Sequence, residues 1–223
     1  LDVIENRDAN SAKRLIENTL SKEHLSHIVS VSMDMWQPYM NCVKEMIPDA
    51  DIVHDKFHIV KYLNEGIDNT RKQEIKKEPI LTNSKYALLK NAENRTENQT
   101  EKFYEIMETN LKTAQAWALS ESFKEIFSAK KIAQAWAYLD IWIDKVEQSL
   151  IKPMVKVANT MQNHAQGIIN YVKHRITNAL AERFNGKIQT LNVVGRGYHT
   201  FENFRSAILF FNGRLDLYSH DNQ

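Results

Sequence analysis

His27-Ile28-Val29-Ser30-Val31-Ser32-Met33-Asp34 is the stretch that decides the fold class. Its β-branched residues predict a buried strand, and the strand delivers an acid at its C-terminal end. In open α/β sheets that edge is where sites are built. A second, shorter strand is expected at Asp51-Ile52-Val53-His54, again followed by an acid, Asp55. Between the two, Gln37-Pro38 opens a helix, since proline is tolerated in a first turn, and Pro48-Asp49 stops it after Ile47. Upstream, Asp8 to Ser11 offers capping groups for a helix whose stripe is Ala12, Leu15, Ile16 and Leu20, and Leu1 to Ile4 reads as a further strand. The expected class is α/β, rich in helix.

Composition narrows the setting. A chain of 223 residues with 43% hydrophobic content buries one substantial core, or one core with a sizeable insertion. Only 6 glycines and 4 prolines argue against a turn-rich all-β fold. The single cysteine, Cys42, excludes an intrachain disulfide and any zinc site built mainly from thiolates, which favours a reducing compartment. The sequons at Asn94 and Asn98 are then incidental. No apolar run approaches the roughly 20 residues that span a bilayer, and no signal-peptide pattern opens the chain, so a cytoplasmic protein is expected. Leu1 stands where an initiator methionine would, and a further N-terminal segment is expected ahead of it.

Beyond the second strand the periodicity becomes helical. A helix from Phe57 to about Lys77 is expected to bury Phe57, Val60, Leu63 and Ile67. Asn83 to Gln99 is polar and irregular. Ile132, Trp136, Leu139, Ile143, Val146 and Leu150 form the seam of helices packed side by side, which marks a helical insertion. Trp117 and Trp136 suit either that seam or stacking on an extruded base. Pro153 opens a long stretch with a seam at Val157, Met161, Ala165, Ile168, Val172, Ile176 and Ala179, interrupted near Gly167. The expected division is 1–78 for the first part of the core, 79–165 for the insertion, and 166–223 for a C-terminal region.

That last region carries Thr177-Asn178-Ala179-Leu180-Ala181-Glu182-Arg183-Phe184-Asn185. On a helix, Asn178, Glu182 and Asn185 share one face, so two amides frame one carboxylate. A solvated glutamate among basic residues gives the same pattern. Asn185-Gly186 is expected to end or kink the helix. Between Tyr171 and Arg214 seven basic residues face two acids, a net +5 in a chain of net +1. Lys173, Arg175, Arg183, Lys187, Arg196 and Arg205 are therefore candidate contacts to a phosphate backbone, or an ordinary solvated face.

Together these pieces resemble the ISL-three family of bacterial insertion-sequence transposases, which use an Asp-Asp-Glu active site. Four blocks in order carry the resemblance: Val31-Ser32-Met33-Asp34-Met35, then Ile47 through Lys61, then Thr177 through Asn185, then Arg196-Gly197-Tyr198 with Phe201 to Arg205. Lys56 departs from the family's usual arginine. The resemblance implies a partial ribonuclease-H-like core interrupted by an all-helical insertion, with Asp34 as second and Glu182 as third catalytic acid. Both would be ligands for Mg²⁺, or Mn²⁺ in its place, with two ions in the complete enzyme. It implies that the first acid precedes Leu1, so that the chain alone is inactive. Asn178 and Asn185 would orient the glutamate. Asp55 is the alternative second acid, one strand spacing of about 5 Å farther out, and His58 either touches the site or DNA or is simply packed. Expected partners are double-stranded DNA, both transposon ends and target, and a further copy of the chain. The alternative is a non-catalytic helical module for DNA binding or assembly.

Overall fold

The computed structural model describes residues 2–6 and 8–213. They form two compact units, Leu1–Ile52 with Thr177–Gln223, and Val53–Ile176. About 72% of the structure is helical, and two parallel strands are the only strands among the described residues.

In the first unit α1 (Ala9–Thr19) begins where expected, because the Asp8 carboxylate accepts from Ser11 N–H at 2.8 Å. A short helix, α2 (Lys22–Ser26), occupies residues before the first strand. β1 (Ser30–Met33) is therefore shorter than the strand expected from His27. The helix α3 (Gln37–Met46) has its proline in the first turn, and α1 packs on it, joined by a Lys13–Glu45 ion pair. β2 (Asp51–His54) lies beside β1, with Asp51 N–H donating to Val29 C=O at 3.0 Å. Met33, Met40 and Val43 form a small core with Val31, Tyr39 and Ile52 around them. Residues 2–4 are not a strand. A strand needs a neighbour for its backbone groups, and Asp2 instead accepts from Val3 N–H and from Arg205.

The second unit is a helical assembly. Its helices are α4 (Lys56–Glu74), α5 (Lys85–Leu89), α6 (Glu97–Met107), α7 (Lys112–Ser128), α8 (Ile132–Ser149), α9 (Lys152–Asn163) and α10 (Ala165–His174). α4 packs on α7 and α9, and α7 also touches α8 and α10. The α4 face that is buried starts at Ile59 and continues through Leu63, Gly66 and Ile67. Phe57 is 64% exposed, one turn too early to reach the core. Gly66 lets α9 approach closely, since a Cβ there would sit 2.8 Å from Met154 Sδ. Leu139, Ile143 and Val146 are buried as the seam requires, whereas Ile132 and Leu150 at its two ends are exposed.

The ends of α7 are held by charge. Glu74 accepts from Lys112 N–H (2.9 Å), Thr113 N–H (2.7 Å) and the Thr113 hydroxyl (2.7 Å). At the other end, the Arg175 guanidinium donates to the carbonyls of Phe127 and Ala129. An anion at a helix N-terminus and a cation at its C-terminus both complement the helix dipole. The break in the α9–α10 stretch falls at His164, not at Gly167, which is buried inside α10.

Back in the first unit, α11 (Ala179–Val194) runs through Asn185-Gly186 without ending there, and α12 (Phe201–Asn212) packs on it. A single interior glycine costs a helix only about 1 kcal/mol. Asn83 to Gln99 is more ordered than its composition suggests, containing α5, a 3₁₀ turn at Ala92–Asn94 and the start of α6. Among the described residues no helix is long and apolar enough to cross a membrane.

Two predictions follow from the helical unit. Glu74→Ala strips α7 of three acceptor bonds and should lower unfolding free energy by about 2 kcal/mol, with Glu74→Gln milder, both read from urea melts. Asp68 is nearly buried beside Arg71 (2.7 Å) and Lys72 (2.8 Å). Burial works to raise its pKa, but the hydrogen bonds and charges of Lys72 and Arg71 prevail and hold it below the ordinary carboxylate value. The stability this contributes is present above the unfolded-state pKa and lost as pH falls through the folded one. Asp68→Asn should therefore cost about 3 kcal/mol at pH 7, a deficit that shrinks below about pH 4 in parallel melts.

Candidate functional site

β1 carries its site residue by alternation. Met33 turns into the core, so Asp34, next along the chain, faces the other way and is half-buried where the strand gives over to the turn before α3. Trp36 stacks edge-on against Tyr39 at 4.4 Å between ring centroids and fixes that turn.

Glu182 lies in the first turn of α11, where a carboxylate complements the helix dipole. Its N–H donates to Asn178 C=O at 2.9 Å, and Asn178 occupies the capping position without a side-chain cap bond. Asn178, Glu182 and Asn185 share a face as expected, yet neither amide is bonded to the carboxylate. No residue of α11 is buried, and Leu180, Val193 and Val194 are all exposed.

Asp55 and His58 belong to the second unit, at the junction of β2 and α4. Asp55 is 3% exposed, and His58 Nδ1 donates to its Oδ2 at 3.2 Å. This pair of expected site residues is joined by a side-chain bond. Beside it, the buried His54 ring stands edge-on to His164 at 5.0 Å. Gly167 packs directly on His54, and a Cβ there would lie 2.3 Å from its ring. Gly167 looks in the sequence like a helix interruption, and nothing in its neighbours signals this close approach.

The expected DNA contacts divide. Arg183, Lys187 and Arg196 are exposed on α11 and the turn that follows it, with Lys187 over the Phe184 ring at 5.7 Å. Lys173 is exposed as well. Arg175 is engaged with the carbonyls at the end of α7, and Arg205 pairs with Asp2 at 2.7 Å. Both guanidiniums have structural work of their own. Lys56, where the family has arginine, lies over the Phe127 ring at 5.2 Å.

As a donor set, Asp34 and Glu182 offer hard carboxylate oxygens of the kind that suit Mg²⁺ or Mn²⁺. Among the described residues no group of three or more His, Cys, Asp or Glu is placed to hold a metal ion. The type of donor fits, and two acids leave positions for solvent, nucleic-acid oxygens and a further acid.

The sequence as a whole places this chain in a class. It belongs to the ISL-three family of transposases, whose pattern matches residues 1–208. The transposase for insertion sequence element IS1001 of Bordetella parapertussis is 27% identical over 188 residues, covering 79% of this chain and 46% of the relative. The transposase for insertion sequence element IS1557 of Mycobacterium tuberculosis is 28% identical over 214 residues, covering 83% of this chain and 48% of the relative. The chain thus spans about half the length of the curated relatives it matches. No solved structure matches it.

Overpacking Gly167 should expose the role of the His54 contact. Gly167→Ala is expected to cost about 2 kcal/mol in a urea melt and to shift the His54 ring resonances in NMR spectra. An unchanged ring environment would mean that α10 does not press on His54.

Proposed function

We propose that this chain is a DNA transposase catalytic region that cleaves phosphodiesters at insertion-sequence ends and transfers the freed 3′ hydroxyl to target DNA. The observation that carries this reading is Asp34, an acid half-buried at the C-terminal end of a strand in a chain of transposase sequence. In this reading β1, β2 and α4 belong to a partial ribonuclease-H-like core, and the helices within residues 79–165 are its insertion.

Asp34 and Glu182 would hold divalent metal, Mg²⁺ or Mn²⁺, through their carboxylate oxygens. When bound, a pair of such ions stabilises the attacking and the leaving oxygen of an in-line displacement. The chain's own residues supply position and charge. β1 fixes Asp34 at the mouth of the turn, while α11 presents Glu182 with the amides of Asn178 and Asn185 on the same face. Arg183 and Lys187 on α11, and Arg196 beyond its C-terminal end, are exposed positive charges suited to a duplex backbone. Asp55 with His58 would support the neighbouring strand end, the carboxylate fixing the ring's tautomer. Two acids fall short of the three that such a site employs, so the isolated chain is not expected to transpose DNA.

Paramagnetic broadening by Mn²⁺ tests the assignment. Amide resonances around Asp34 and Glu182 should broaden together, and Asp34→Asn or Glu182→Gln should each weaken Mn²⁺ binding by about tenfold, the loss expected when a ligand or its support is removed. Broadening confined to other acids, or robust nicking of end-containing duplex by the isolated chain, would contradict this account.

A further inference from the structure

The helical unit holds a cavity that the chemistry above does not use. Residues of α4, α5, α6 and α7 and of the loop between α5 and α6 line a half-open cavity of about 410 Å³, with Ile67 and Leu88 among its apolar lining and Glu93, Glu121 and Lys124 among its charged lining. This is within the range of pockets that take small organic groups. Arg95, in the loop just before α6, lines it. Its guanidinium lies over the Phe103 ring, Cζ 3.8 Å from the centroid. Phe103 is buried and meets Trp117 edge-on at 4.8 Å, so the stacked cation rests on an ordered aromatic pair.

The donors of this cation are not satisfied by the protein. Arg95 Nε is buried without a hydrogen-bond acceptor. Burial pulls the pKa of the guanidinium down, and the nearby Glu121 only partly opposes this. Glu121 is itself paired to Lys124 at 2.6 Å. Lys90, on the same cavity, lies over the Tyr86 ring at 5.7 Å and donates a long bond to Gln99 Oε1 at 3.4 Å. A half-buried guanidinium whose Nε is buried without an acceptor is matched by a phosphate or carboxylate with two oxygens to offer. Tyr104, 62% exposed at the rim, adds a flat apolar surface next to that anion position.

We propose that this cavity binds one nucleotide of a single DNA strand, its phosphate on Arg95 and Lys90 and its base against Tyr104 and the edge of Trp117. Single-strand sites elsewhere combine the same two elements, a cation for the backbone and an aromatic face for the base. The inference rests on DNA being the partner, but it uses neither Asp34 nor Glu182.

The test is made in EDTA on the whole chain, which silences metal-dependent chemistry. A fluorescent thymidine decamer is titrated by anisotropy, and a decamer carrying 5-iodouracil is photocrosslinked and its adduct mapped by mass spectrometry. Arg95→Gln and Lys90→Gln should each weaken binding at least fivefold, Arg95→Lys should fall between, and the adduct should map to Tyr104 or Trp117. Lys90→Gln gives up a 5.7 Å contact with the Tyr86 ring and a long bond to Gln99, both at the cavity's margin, and a urea melt of each variant separates lost binding from lost folding. Unchanged affinity in the Lys90 variant, adducts confined to other helices, or displacement by pyrophosphate at the decamer's own concentration would overturn the proposal. The last result would make the cavity a site for small free anions. Because the metal-binding acids are not involved, failure here leaves the proposed chemistry standing, and loss of Mn²⁺ binding leaves this site standing.

Discussion

The helical unit depends on α7 being pinned at both ends by side chains of opposite charge. Glu74 closes its N-terminus and Arg175 its C-terminus, and between them Phe123 and Ile126 lie fully buried. Along the same helix Trp142 of α8 donates to Leu119 C=O at 2.7 Å, and the Phe123 and Trp142 rings meet edge-on at 4.7 Å. Both clamps come from elements that α7 itself packs against or that directly follow them: α4 supplies Glu74, and Arg175 follows α10. The backbone of Arg175 is left-handed, φ 55°, a conformation that side chains other than glycine or asparagine rarely adopt. Two carbonyl bonds compensate for that strain. They give this arginine a structural role at the end of α7.

The candidate acids are presented in two different ways. Asp34 is held by a strand whose preceding residue is in a core, so its direction is set by the pleat. Glu182 sits on a helix with no buried residue, packed against α12 among the described residues. Leu180, Val193 and Val194 are apolar side chains of that helix left exposed. The acid that is best fixed in space is the one on the strand, and the orientation of the other rests on the first turn of α11.

Much of this was legible in the sequence where local chemistry decides the outcome. Asp8 caps α1, Pro38 opens α3, and the four residues of β2 fall where their β-branched character places them. The central positions of the α8 seam are buried because period 3.5 forces them to one side. What escaped was set by distant partners. Leu1 to Ile4 has strand composition, but the bond that engages Asp2 comes from Arg205, 203 positions away. Phe57 obeys the periodicity of α4 and is nevertheless exposed, because its turn precedes the packed part of the helix. The Asp55–His58 pair was visible as an acid and a histidine three apart, whereas the contact of His54 with Gly167 spans the whole helical unit in sequence. Arg95 gave no sign at all, since a lone arginine in a polar loop reads as solvated until the ring beneath it is seen.

The central claim is that Asp34 and Glu182 serve one metal-dependent site. Anomalous scattering from a crystal of the chain grown with Mn²⁺ tests it most directly. The account predicts a manganese peak coordinated by both carboxylates, at oxygen distances of about 2.1 to 2.3 Å, with the two groups within about 8 Å of each other. Carboxylates more than about 15 Å apart in an ordered first unit, a separation too great for a metal pair to bridge, would contradict it.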